Sequence, residues 1–416
     1  MKLRNQLLAL ACLLAFAGFG FLLFRTWVVQ KPFGIILFLG DGLTPTNLTA
    51  ARLYQNGADH RLTAESLPNV ALLSNHASDF AVPDAPSAAS AIATGVKVNN
   101  RSIATSPEGA ELRSILDLAR SSGRATAIVT NGSLTDAGCA AFYAHASSSD
   151  EVENIATQFF NAQIDVALGG GLENFTPEGK GGRRKDGRDL MLEFRQKGRE
   201  VVRTKGELEN AANFRASSLV GFFSNANFAF SDQTGTQQPS LADMVRRAIE
   251  MLQFNRGGYF LLVDAELISR ASEQNDGEHV LVETLALDEA LGTAMKYAGE
   301  KSLVIATGKH SIGGMSLNGY PLRQDHGVAL IGTNPFGYPS ITWATGPNGA
   351  NREPPLINSE AAASPPPPGK QPAAFYAPVA IQNAEDVIAV GTGPGSEALK
   401  GFQDNTVLFE IFKSKL

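Results

Sequence analysis

Four short apolar runs punctuate the chain, and each stops at a polar cluster: Phe33 to Leu39 before Gly40-Asp41-Gly42, Ala125 to Val129 before Thr130-Asn131-Gly132, Tyr259 to Val263 before Asp264, and Leu303 to Ala306 before Thr307-Gly308-Lys309. Hydrophobicity that is continuous rather than alternating over so few residues marks strands buried on both faces. Helical stretches fill the intervals, at Leu112 to Ser121, Glu151 to Asn161, Ser240 to Phe254 and Val280 to Ala298. Strands alternating with helices predict an α/β fold with a mostly parallel central sheet covered on both faces. Such sheets gather their functional residues at the carboxyl ends of the strands.

The pattern is different at the N-terminus. Leu7 to Phe24 carries no charge and follows Lys2 and Arg4, the basic-then-apolar order of an export signal or a membrane anchor. Its length is about that needed to cross the hydrocarbon core, which favours an uncleaved anchor. Ala15 and Ala17 also offer a small-x-small cleavage site, so a cleaved signal peptide is the alternative. Residues 1–29 are read as this segment and 30–416 as the α/β domain, exported to the periplasm or cell envelope.

With 416 residues, 44% of them hydrophobic, the domain has the material for a large core. A net charge of -6 and no long run of Lys or Arg argue against a nucleic-acid partner. The two cysteines, Cys12 inside the apolar segment and Cys139 far from it, imply no disulfide framework. Four consecutive prolines between Ser364 and Pro372 exclude a helix or central strand there, and the stretch reads as a stiff surface loop.

Several motifs occur in one order. Gly40-Asp41-Gly42 is followed by TAARLY at Thr49 to Tyr54, PDAPSAASAIATGVKVNN at Pro83 to Asn100, TDAGCAAFYAH at Thr135 to His145 and LGGG at Leu168 to Gly171. ETLALDEA at Glu283 to Ala290, PSITWATGP at Pro339 to Pro347 and GPGSEALKGFQDNT at Gly393 to Thr406 complete the series. Together they resemble the alkaline phosphatase family over nearly all of the chain after the N-terminal segment. The resemblance implies an alkaline-phosphatase-like three-layer α/β/α sandwich with a small crown-like insertion lobe, placed with the Pro-rich loop at about 310–385. It also implies a homodimer, and phosphoryl transfer to a serine at a helix N-terminus, served by two zinc ions, a magnesium ion and a phosphate-clamping arginine.

Against that pattern the chemistry is incomplete. Counting back from Thr94-Gly95-Val96-Lys97 puts Ala85 where the family has its nucleophilic serine. Ser87, two residues on, lies roughly 200° around the helix and is assigned to packing. Ser149 stands at the arginine position. Asp264, Ser269 and Glu273 occupy the positions of the family's Glu, Asp and His, Lys309-His310 replaces its Asp-His pair, and Gln382 replaces its last zinc histidine. With His310 as the one family zinc histidine retained, zinc is not expected. Asp41, Asp136 and Asp264 match carboxylates around the family's magnesium, although its magnesium-binding threonine is Gly138 here. Magnesium is therefore the cation this remnant suits. An empty site, neutralised by a Lys309 ammonium paired with carboxylates such as Asp41 or by other basic groups, is the reading favoured over a bound magnesium ion.

Two readings follow. In the first, the chain is a catalytically inactive, exported and membrane-tethered homologue that keeps the fold for binding or scaffolding, with phosphate or a phosphoester as the expected ligand. In the second, it is a metal-dependent phosphate monoester hydrolase with one metal held by Asp41, Asp136 and Asp264. There Glu266, Glu273 and Lys309 would serve as base and oxyanion partner.

Overall fold

The structure is a computed structural model and describes residues 2–23, 31–211, 218–299, 301–318, 339–350 and 371–416. It divides into two units, Met1–Pro32 and Phe33–Leu416. In the first, a single helix, Lys2–Leu23, exposes its described side chains, and its stretch Arg4–Phe21 is long and apolar enough to cross a membrane.

The strands of the second unit are, in chain order, β1 (Gly34–Gly40), β2 (Asn69–Ser74), β3 (Ala125–Ser133), β4 (Val166–Gly170), β5 (Glu200–Val202), β6 (Leu219–Phe222), β7 (Tyr259–Ala265) and β8 (Leu303–Gly308). Then come β9 (Ser311–Ile312), β10 (Ser316–Leu317), β11 (Ile341–Gly346), β12 (Ala373–Tyr376), β13 (Gln382–Asn383), β14 (Val387–Thr392) and β15 (Lys400–Asp404). Ten of them form one sheet in the order β15-β2-β14-β8-β1-β7-β3-β4-β6-β5. Only β14 runs antiparallel, to both β2 and β8. The smaller sheets β10-β11-β12 and β13-β9 fall within 311–383. Residues 364–370 of the Pro-rich stretch lie outside the described residues.

The central strands are buried along their whole length because each serves two cores. Successive side chains of a strand point to opposite faces. In β1, Ile36 and Phe38 enter one cluster, with the helices Leu241–Leu252 and Gly277–Ala298, while Ile35, Leu37 and Leu39 enter the other, with the helices Ala85–Thr94 and Val407–Lys413. Tyr259, Leu261 and Val263 of β7 divide from Phe260 and Leu262 in the same way. Each such side chain removed from water contributes about 1.5–3 kcal/mol, so the β1–β7–β8 centre is a rigid base for whatever its strand ends carry.

Helix boundaries move where side chains cap them. The first predicted helix begins at Ile115 rather than Leu112, because Ser114 Oγ accepts the amide of Asp117 at 3.1 Å and so marks the cap. The longest begins at Gly277, three residues before its apolar periodicity, behind the cap Asp276. That helix also buries Glu283, which accepts hydrogen bonds from the Ser231 amide at 2.6 Å, Ser231 Oγ at 3.1 Å and Asn131 Nδ2 at 3.2 Å. Burial pushes its carboxyl up to about 7.

A carboxyl raised on folding contributes stability in full below its unfolded value, and that contribution is lost as pH rises through the folded value. For Glu283 the window runs from the ordinary glutamate value of 4.5 to about 7. Glu283→Gln is expected to remove a stability loss on the order of 2–3 kcal/mol across that window, read as a flatter dependence of denaturant midpoint on pH. An unchanged slope would mean that Glu283 is not the titrating group.

Candidate functional site

At the centre of the sheet three neighbouring strands, β8, β1 and β7, deliver a base and two acids to one point. The chain turns out of β1 through Asp41 into Gly42, whose φ of +80° only glycine adopts without strain. Asp264 lies in β7 opposite Leu39, and Lys309 follows β8 directly. The Lys309 side chain is fully buried. Its Nζ lies 3.0 Å from Asp41 Oδ2, 3.0 Å from Asp264 Oδ1 and 3.6 Å from Glu266 Oε2. His310 follows, with Nε2 2.8 Å from Asp41 Oδ1.

Above this buried layer opens a cavity of about 490 Å³ lined by Asp41, Ala85, Asp136, Gly138, Ser149, Glu266, Ser269, Arg270, Glu273, His310 and Gln382, among others. The positions singled out from sequence thus converge, with Asp264 and Lys309 buried beneath the cavity rather than lining it. Asp136 precedes the short helix Ala137–Ala140 and accepts the Ser133 amide at 2.9 Å. Ser269 Oγ is turned back on its own helix and donates to Glu266 O at 2.9 Å. Glu273 pairs with Arg270 at 3.3 Å, and Gln382 lies in β13 against β9.

Ala85 is the first residue of the helix Ala85–Thr94 and brings only a methyl group to the cavity. Ser87 is not a substitute. The Asp84 amide donates to its Oγ at 3.2 Å, its own amide donates to Asp84 Oδ1 at 2.9 Å, and its Oγ donates to Asn100 Oδ1 at 2.8 Å. This is a capping box, so the residue assigned to packing serves the helix end instead.

Arg270 has no counterpart in the sequence reading. Its guanidinium lies 3.0 Å from Glu266 Oε1 and 3.3 Å from Glu273 Oε2, so one side chain answers two carboxylates on its own helix turn. In the sequence the signal is the spacing of Glu266, Arg270 and Glu273 at i, i+4 and i+7, which is indistinguishable from that of a solvated helix face. The far wall, with Arg183 paired to Glu173 at 3.1 Å and Asn174 Nδ2 donating to Thr135 Oγ1 at 2.8 Å, was also unforeseen.

The charges are balanced internally. Burial alone would raise Asp41, yet the Lys309 ammonium and His310 hold it well below the usual carboxylate range. Burial would likewise lower Lys309, but Asp264, Asp41 and Glu266 together raise it well above its ordinary value. Burial pushes Asp136 up to about 6, and raises Asp264, Glu266 and Glu273. Arg270 is raised by Glu266.

This donor set does not fit the metals that the resemblance implies. A fully buried ammonium lies between the two carboxylates that would face a cation, and its charge repels one. Among the described residues no group of three or more His, Cys, Asp or Glu side chains is arranged to hold a metal ion.

Ser87→Ala leaves the Asp84 cap on the residue-87 amide in place but removes the Oγ hydrogen bonds to Asp84 and Asn100, and is expected to cost about 1 kcal/mol of stability, measured by equilibrium denaturation. Loss of ligand binding or turnover without that penalty would instead place Ser87 in the chemistry.

Comparison with known proteins agrees with this fold. A family model described as alkaline phosphatase matches residues 34–416. The chain is 29% identical to the tissue-nonspecific alkaline phosphatase isozyme of Gallus gallus over 90% of this chain and 82% of that one. It is 29% identical to alkaline phosphatase 4 of Bacillus subtilis over 71% of this chain, a match that spans 65% of that relative's length. The solved structure of Thermus thermophilus alkaline phosphatase superposes with a TM-score of 0.74 at 25% identity, covering 93% of this chain and 92% of that one. With the three-layer fold, the converging strand ends and the match over the whole second unit, the chain belongs to the alkaline phosphatase family.

Proposed function

We propose that this chain is a catalytically inactive alkaline phosphatase homologue, exported and tethered by its N-terminal helix, that keeps the fold to bind a phosphate-bearing ligand or a protein partner. The observation that carries the reading is the Lys309 ammonium, 3.0 Å from both Asp41 and Asp264. A phosphoryl-transfer centre of this family needs a nucleophile, metals to activate it and a cation on the phosphate. Here Ala85 supplies no hydroxyl, Ser149 no guanidinium, and Ser269, Lys309 and Gln382 no zinc ligand. The one-metal alternative is disfavoured by the same contact, since its ligands Asp41 and Asp264 already share the ammonium.

A homodimer has a physical counterpart on the sheet. Val70 and Leu72 of β2 share one face, and Phe402 of β15 lies in register beside Leu72. All three are exposed, at 48%, 42% and 64%. An apolar strip on a sheet face suits a second copy of the same strip related by a twofold axis.

Two measurements bear on this. The full chain in detergent, supplied with zinc and magnesium, is expected to hydrolyse an aryl phosphate no faster than its Asp41→Asn variant, and Ala85→Ser is expected to restore nothing, because clamp and metal ligands are still missing. Stoichiometric zinc with turnover would falsify the inactive reading. In analytical ultracentrifugation the chain is expected at dimer mass, with the Leu72→Asp/Phe402→Asp variant at monomer mass. Identical masses for the two would remove the strip from the interface.

A further inference from the structure

The family's metals and this chain's residues disagree at one place where the disagreement is built from two residues rather than one. Lys309 fills the space between Asp41 and Asp264. Gly138 makes that space. A Cβ at position 138 would fall 2.2 Å from Lys309 Nζ and 2.3 Å from Asp264 Oδ2, contacts that side chains do not tolerate. Even alanine there would drive the ammonium from its carboxylates, and these atoms have little freedom to move, since Lys309 and Asp264 are both 0% exposed.

We infer that Lys309 and Gly138 are a matched pair forming a tethered, permanent replacement for a divalent cation, and that this pair closes the centre to free metal ions. The inference rests on the proposed absence of metal chemistry, but it adds a cause: the site is occupied by a cation belonging to the chain itself. The spacing agrees. Carboxylate oxygens 3.0 Å from the nitrogen suit an ammonium, whereas magnesium draws its oxygens to about 2.0–2.1 Å and calcium to about 2.3–2.6 Å. The topology agrees as well. Asp41 and Asp264 leave the neighbouring strands β1 and β7, and Lys309 enters from β8 on the other side of β1, so the ammonium links the ends of three adjacent strands. The tether also removes any dependence of this buried layer on metal supply.

The test removes the ammonium in two ways in the full-length chain. Lys309→Ala opens the space, and Lys309→Met removes the charge while filling it. Both leave Asp41 and Asp264 without their cation, so both are expected to lower the melting temperature by several degrees. Only Lys309→Ala is expected to recover on adding millimolar magnesium or calcium, because only it has room for the ion. Gly138→Ala is expected to lower the melting temperature in the wild-type background and less in the Lys309→Ala background, where the contact with Nζ is relieved and only that with Asp264 Oδ2 remains, a non-additivity expected of paired residues.

Shifts that simply add, or a magnesium-dependent rise in the wild type equal to that of Lys309→Ala, would overturn the inference. If the variants do not fold, calorimetric titration of the wild-type chain with magnesium, manganese and zinc decides alone. Stoichiometric binding that Asp41→Asn abolishes would overturn it, and no binding would support it. These outcomes separate from the activity assay. Metal uptake by Lys309→Ala without hydrolysis supports both readings, whereas hydrolysis by a wild-type chain that takes up no metal at this centre removes the inactive reading and leaves the matched pair standing.

Discussion

The buried contact between Lys309 and the carboxylates of Asp41 and Asp264 is the constraint around which the centre is arranged. A parallel sheet whose central strands end in acids concentrates negative charge at one rim, and in a desolvated place that charge must be met by cations or protonated away. This chain does both. Lys309 and Arg270 supply positive charge from β8 and from the helix Leu267–Glu273, while burial holds Asp136, Glu266 and Glu273 towards their neutral forms. Taking one partner out of such an arrangement leaves a buried charge uncompensated, typically at a cost of about 3–5 kcal/mol. That cost explains why the acids and the lysine are not independent features.

The sheet makes the contact possible without flexible parts. β8, β1 and β7 pair in parallel with Gly40 opposite both Gly308 and Ala265, so Asp41 and Lys309 leave their strands at the same level and Asp264 lies one residue below. Two cores grip the strands from opposite faces, and the strand ends have little room to drift. Asn131 extends the same rigidity outward, accepting the Glu266 amide at 2.8 Å and donating to the buried Glu283, which in turn fixes the loop at Ser231. Glu266 in the cavity lining is therefore coupled through one amide side chain to the buried Glu283 and the loop at Ser231.

Much of this was legible in the residues. Apolar runs of four to seven residues ending in polar clusters located β1, β3, β7 and β8, since a strand buried on both faces has no other way to be written. The positions Ala85, Ser149, Ser269, Glu273, His310 and Gln382 could be brought to one cavity because the motifs lie in one order along the chain. What was not legible depends on contacts across the fold. Gly138 reads as a lost hydroxyl until the Lys309 ammonium is seen beside it. Arg270 reads as a surface residue until Glu266 is found beneath it. Ser87 looks like a displaced nucleophile, and only the Asp84 and Asn100 contacts show it capping the helix.

The cavity above the ammonium also changes meaning with the charges beneath it. A metal centre presents net positive charge to an incoming phosphate, which is the source of its electrophilic power. Here the cations are already engaged: Lys309 lies under the floor, Arg270 answers Glu266 and Glu273, and Arg183 answers Glu173. A phosphate group entering this space must draw Arg183 or Arg270 away from a carboxylate partner, an exchange of one ion pair for another rather than a gain of a new one. Binding strength must then come from the rest of the ligand, through the hydroxyl and amide groups of Thr135, Asn174 and Asn227 that line the opposite wall. On the reading proposed above, such a centre would select a ligand by its shape and hydrogen bonds rather than activate it through unpaired positive charge.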